Sequence, residues 1–136
     1  MTVVTKRLVK PLRLLVWACV LAASAYLLLR FDLASLPAGS CSPLRSISSG
    51  DRMWIDRRPR APITGDIVLF EDPNSELYLI GRVVEAPEGL TPEVVRALTE
   101  GALWIEGDNS DCALRDSRLL GPVAVGAVVG RVILTF

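Results

Sequence analysis

The sequence predicts a mainly β domain carried on one N-terminal membrane-spanning helix. Three observations lead there. An uncharged apolar run, Leu14–Leu29, lies between Arg13 and Arg30. Short segments rich in β-branched and aromatic residues, bounded by Gly, Pro, Asn and Asp, fill the chain from about residue 50 onward. The charge is partitioned: Lys6, Arg7, Lys10 and Arg13 stand without an acid in residues 1–13, whereas residues 31–136 hold ten arginines against fifteen acids.

The apolar run is sixteen residues long, somewhat below the roughly 20 that span a bilayer. Leu12 and Phe31 extend it, and Arg13 and Arg30 can snorkel to the interfaces, so the anchor is expected over residues 12–31. Trp17 and Tyr26 stand near its two ends, as interfacial aromatics do. The basic head, 1–13, is expected to stay on the cytoplasmic face, with 32–136 as the domain on the trans side: periplasmic, extracellular or intermembrane. A cleaved signal peptide is the rival reading, but its small residues, Ala22–Ala25, lie inside the apolar run and Leu27–Leu29 follow them. A lipoprotein site at Cys41 lacks an apolar residue at position 38, where Ala38 stands, and lies far from the run.

Within the trans domain, strands are expected at Met53–Ile55, Asp66–Phe70, Leu77–Ala86, Leu103–Glu106 and Ala124–Phe136, arranged as small antiparallel sheets. One helix is expected at Thr91–Thr99, with Thr91 as N-cap, Pro92 in the first turn and Gly101 beyond its end. Arg57-Arg58-Pro59-Arg60 is a basic turn, read either as a solvated loop or as a contact for anionic lipid headgroups.

Composition excludes several chemistries. The chain has 15 basic and 15 acidic residues, which gives no polybasic arm for nucleic acid. It has no histidine, so Ser-His-Asp, Cys-His and His-ligated zinc sites are excluded. Cys19, Cys41 and Cys112 are too scattered for a structural zinc site, and the carboxylates lack metal-ligand spacing. No cofactor or metal is implied.

Four segments appear in order: Pro37-Ala38-Gly39-Ser40-Cys41-Ser42-Pro43; Thr64-Gly65-Asp66-Ile67-Val68-Leu69-Phe70; Gly81-Arg82-Val83-Val84; and Gly107-Asp108-Asn109 leading into Asp116-Ser117-Arg118, Gly121-Pro122-Val123 and Gly130-Arg131-Val132. Together they resemble the type I signal peptidase family, including its mitochondrial inner-membrane branch, over about the whole chain. The resemblance implies a membrane-anchored serine endopeptidase acting on the leader sequences of exported proteins. Ser40 matches the nucleophile and supplies a backbone oxyanion donor. Asp116 and Arg118 match a buried ion pair that supports the site. Gly107, Asp108 and Asn109 match a tight structural turn, and Arg82 a site-supporting residue.

The departures are as telling. The family's general-base lysine falls on Gly81, and no lysine or histidine follows Lys10. A serine hydroxyl is a poor nucleophile until a base takes its proton, and the guanidinium of Arg82 does not deprotonate. Ala38 stands where many members carry a serine that completes the oxyanion hole. Leu114 stands where members carry a serine that orients the lysine. Glu85 or Asp66 is the alternative base, and Cys41 the alternative nucleophile. Cys41 and Cys112 are either a disulfide stapling two site loops or two free thiols. Three functions therefore stand side by side: a peptidase with an unusual base or one borrowed from a competent partner subunit, an inactive pseudo-peptidase that binds or scaffolds, and a plain membrane-anchored β module whose groove is irrelevant. If the missing base is the main defect, a lysine at position 81 should partly restore acylation of Ser40.

Overall fold

The computed structural model describes residues 2–136 except Pro59 and Leu114, with side chains from residue 10 onward. The Leu114 departure therefore lies outside the described residues. Contacts divide the chain into two units, 1–31 and 32–136.

The first unit is helix α1, Thr2–Arg30. Its segment Lys10–Arg30 is long and apolar enough to cross a membrane. At 1.5 Å per residue its 21 residues reach about 31 Å, the thickness of a hydrocarbon core. None of this segment is buried by the protein, and Leu14, Leu21, Leu28 and Leu29 are all exposed. A helix apolar on all sides and covered by nothing in its own chain suits lipid as its solvent. At its exit Arg30 donates to the Tyr26 hydroxyl at 2.5 Å and lies over the Tyr26 and Phe31 rings. Phe31 is not the last turn of the helix, as expected, but the first residue of β1. The helix stops one residue after its apolar run does.

Strand β1 (Phe31–Ser35) starts on the last residue of the first unit, and the second unit continues with β2 (Arg52–Asp56), β3 (Ile67–Glu71), β4 (Tyr78–Val84), α2 (Pro92–Thr99), β5 (Trp104–Glu106), α3 (Ser117–Leu120) and β6 (Val128–Thr135). Each expected strand is present, but not as several small sheets. The strands form one six-stranded sheet in the order β1-β2-β6-β3-β4-β5. The pairs β2–β6, β6–β3, β3–β4 and β4–β5 are antiparallel. The last strand, β6, inserts between β2 and β3 and joins the two halves; no local turn signal predicts such a pairing. The expected strand 124–136 begins later, because Val125–Ala127 forms a 3-10 turn first.

Alternation sorts the side chains into two cores. Val68, Phe70, Val83, Ile105 and Val123 bury one face. On the other, Met53 and Ile55 pack with Leu44 and Ile47, backed by Ile67, Leu69, Ile80 and Val132. Leu44 and Ile47 come from the long loop between β1 and β2, so that loop covers the second face. Helix α2 begins where expected, but Thr91 makes no side-chain cap; its carbonyl accepts from Val95 N–H at 3.0 Å. α2 buries no residue.

Candidate functional site

The loop 36–51 is closed at its neck by two backbone bonds, Leu36 N–H to Asp51 O and Gly50 N–H to Leu36 O, both 3.0 Å. Leu44 and Ile47 pin it to the sheet. Ser40 sits on a turn inside it, held by one acceptor. The Pro37 carbonyl receives the Ser40 N–H at 3.1 Å and the Ser40 Oγ hydrogen at 2.6 Å. Gly39, at φ +82°, occupies the left-handed region that glycine tolerates best, and its N–H reaches Ser49 Oγ at 2.6 Å.

A second loop clamps the first. Asp108 N–H and Asn109 N–H both donate to Pro43 O, at 3.0 and 3.1 Å. Asn109 Nδ2 donates to Ser42 O at 2.8 Å, and Arg45 N–H donates to Asp108 Oδ1 at 2.7 Å. Cys41 and Cys112 form a disulfide across the same junction, with Cα atoms 5.7 Å apart. The expected Gly107-Asp108-Asn109 turn is therefore corrected. The segment runs without regular structure along the serine loop, and the turn follows it, closed by Cys112 N–H to Asn109 O at 3.2 Å. Sequence separation hid this, because the clamp joins groups more than sixty residues apart.

Behind the clamp stands Asp116, 4% exposed. Its carboxylate accepts from Gly107 N–H and Arg118 N–H, both at 3.0 Å, and from the Arg118 guanidinium at 2.5–3.2 Å. It caps α3, and Arg118 Nη2 closes the circuit on Gly107 O at 3.0 Å. Burial pushes the Asp116 carboxyl up. The hydrogen bonds from Arg118 and from the two backbone N–H groups outweigh it and leave the group below the usual carboxylate range. The pair is one-sided: Asp116 is buried, whereas the Arg118 side chain is 48% exposed.

Arg82 also supports the loop, donating to Gly65 O at 3.1 Å and Ser46 Oγ at 3.4 Å. Its neighbour Gly81 does not face the serine loop. A Cβ built on Gly81 would meet Ile105 Cγ2 at 2.5 Å. Ile105 belongs to the core on the opposite face from Leu44, Ile47 and Ile80. Successive residues of a strand alternate faces. A lysine at 81 would thus enter the Val68–Ile105 core, and its expected rescue of Ser40 is withdrawn.

The other candidates are dispersed. Glu85 is exposed beyond the end of β4 and makes no ion pair among the described residues. Asp66 is engaged by Ile63 N–H at 3.0 Å and lies 3.7 Å from Arg60 and 3.6 Å from Arg131. Cys41 in a disulfide has no thiol to ionise. Ser40, Cys41, Arg45 and Asp111 share an open depression of about 480 Å³. Asp111 went unnoticed in the sequence; its place between the Gly107-Asp108-Asn109 segment and Cys112 was the available signal. A neighbouring groove of about 300 Å³ is lined by Leu36, Cys41, Pro43, Leu79, Ile80 and Arg115 among others. Arg115, at its rim, is held at 2.6 Å by buried Asp72. No protein-family model and no curated protein matches the chain.

Proposed function

We propose that the chain is a membrane-anchored protein of signal-peptidase type that holds leader-type peptides without cutting them. One observation carries this reading. Both groups that Ser40 would bring to acyl transfer, its Oγ hydrogen and its N–H, are directed at the Pro37 carbonyl. A backbone carbonyl takes no proton near neutral pH, so the hydroxyl's hydrogen-bond acceptor is not a base. The space beside Gly81 is filled by Ile105, which leaves no route for a base from that position. The largely apolar groove next to the Cys41–Cys112 bridge suits an extended peptide with small apolar side chains. By the positive-inside rule the N-terminus is cytoplasmic and the β unit lies on the trans side.

The test uses the full chain in detergent with a leader-containing precursor and a serine-directed acylating probe. Cross-linking of the leader without cleavage, and without labelling of Ser40, is expected; Ser40→Ala should bind equally well, and Ile80→Asp should bind less. Cleavage abolished by Ser40→Ala would overturn the reading. A second reading, a working serine endopeptidase, rests on Asp111 lining the same depression as Ser40. Its signature is cleavage lost in both Ser40→Ala and Asp111→Asn but retained in Glu85→Gln. Cleavage that appears only with a second subunit would mean that a partner supplies the base.

A further inference from the structure

The basic turn after β2 has no part in the groove or the serine loop. Its position along the chain is set by one contact. Arg57 Nη2 is paired with Asp32 Oδ2 across a separation of 25 residues. Asp32 is the second residue after Arg30, the last of the spanning segment. Consecutive Cα atoms are about 3.8 Å apart, so Asp32 lies within roughly 8 Å of the helix end. A helix that ends its apolar run at an arginine ends at headgroup depth. The pair therefore holds Arg57 to a residue only two positions past the end of the spanning segment. The hydrogen bond from Arg57 holds the Asp32 carboxyl below its ordinary range, so the pair is charged at neutral pH.

Beyond Arg57 the turn is cationic and partly apolar. Arg58 is exposed, with no carboxylate in ion-pair range among the described residues. Arg60 is also exposed and lies 3.7 Å from Asp66, a carboxylate it shares with Arg131. Ile63 is 54% exposed in the same turn. Exposed guanidinium groups joined through Arg57 to a residue two positions past a spanning segment, with an exposed isoleucine three residues after Arg60, match an interface of phosphate headgroups over acyl chains. We propose that Arg58 and Arg60 dock on the anionic phospholipid headgroups of the leaflet that α1 leaves. This rests on the membrane-anchored reading and is independent of the peptide-holding one.

The experiment is hydrogen exchange on the full chain inserted in nanodiscs of zwitterionic lipid or of the same lipid with anionic phosphatidylglycerol, insertion being verified by co-purification with the disc. Amides of 57–66 should exchange more slowly in the anionic discs, on the order of tenfold for two surface arginines. The difference should shrink at about 0.5 M salt, where the screening length falls to a few ångströms. Arg58→Gln/Arg60→Gln, which leaves the Arg57–Asp32 pair intact, should abolish it, while leader cross-linking is unchanged. Equal exchange in the two disc types would overturn the proposal. So would equal protection in zwitterionic discs by free inorganic phosphate, or by a glutamate-rich peptide, which would point to a soluble anion or an acidic protein instead.

Discussion

Position 81 shows how one missing side chain acts twice. Glycine there removes the base that the resemblance calls for, and it also admits Ile105, which is fully buried against it. Gly81→Ala places a Cβ 2.5 Å from Ile105 Cγ2, and overpacking of this kind costs about 1–3 kcal/mol. Leucine has no Cγ2 at that point, so Ile105→Leu alone should cost less than about 1.5 kcal/mol. Combined with Gly81→Ala it should recover part of the loss. Chemical denaturation of the four proteins checks this; strictly additive effects would mean that the two residues do not touch. Gly81→Lys should neither fold as well as the parent nor promote labelling of Ser40.

Helix α3 is four residues long and is capped by Asp116. Removing that carboxylate strands the N–H groups of Gly107 and Arg118 and deprives the guanidinium of its partner. Asp116→Ala is therefore expected to lose about 3 kcal/mol, read as a drop in melting temperature. The loss should be pH-dependent. Asp116 and Asp72 are both held below the ordinary carboxyl pKa of 3.8. For Asp72 the Asn74 N–H contributes most, burial opposes it, and Ser75 and Arg115 add to the lowering. A carboxylate with a depressed folded pKa contributes its full stability above 3.8 and loses it as the pH falls through the folded value. The parent should thus weaken on acidification below about pH 4, and Asp116→Asn should show a shallower acid limb. Parallel acid limbs for parent and variant would remove Asp116 from the account.

For the domain as a whole, the disulfide and the hydrogen bonds at the loop junction have separate roles. The bridge closes a separation of 71 residues, and bridges of this kind stabilise by about 2–4 kcal/mol, largely through the unfolded chain. The bonds of Asp108 and Asn109 to residues 42–45 hold the same junction in the folded state. Cys41→Ala/Cys112→Ala should therefore melt earlier yet keep the clamp, seen as unchanged amide protection at Asp108 and Asn109. Loss of that protection would show that the bridge, not the hydrogen bonds, builds the junction. In sealed vesicles the β unit should be digested from the trans side and protected from the cytoplasmic side; the reverse would invert the proposed topology.

Period and punctuation made the helix, most strand positions and α2 legible, because apolar length, β-branched runs and Gly or Pro boundaries are local properties of the chain. Ser40, Gly107–Asn109, Asp116 and Arg118 were named by the family resemblance rather than by local pattern, and the structure sets Asp108 and Asn109 against the loop that carries Ser40, with Asp116 and Arg118 bonded to Gly107. The absence of a lysine or histidine beyond Lys10 is a property of the sequence alone, and no folding can alter it. The single sheet, with its C-terminal strand inserted in the middle, was not legible: pairing between distant strands is set by which faces bury together. The face to which Gly81 belongs, the Pro37 carbonyl as partner of Ser40 and the place of Asp111 on the same depression were decided only in three dimensions. Each depends on groups brought within a few ångströms by packing, and spacing along the chain carries no record of that distance.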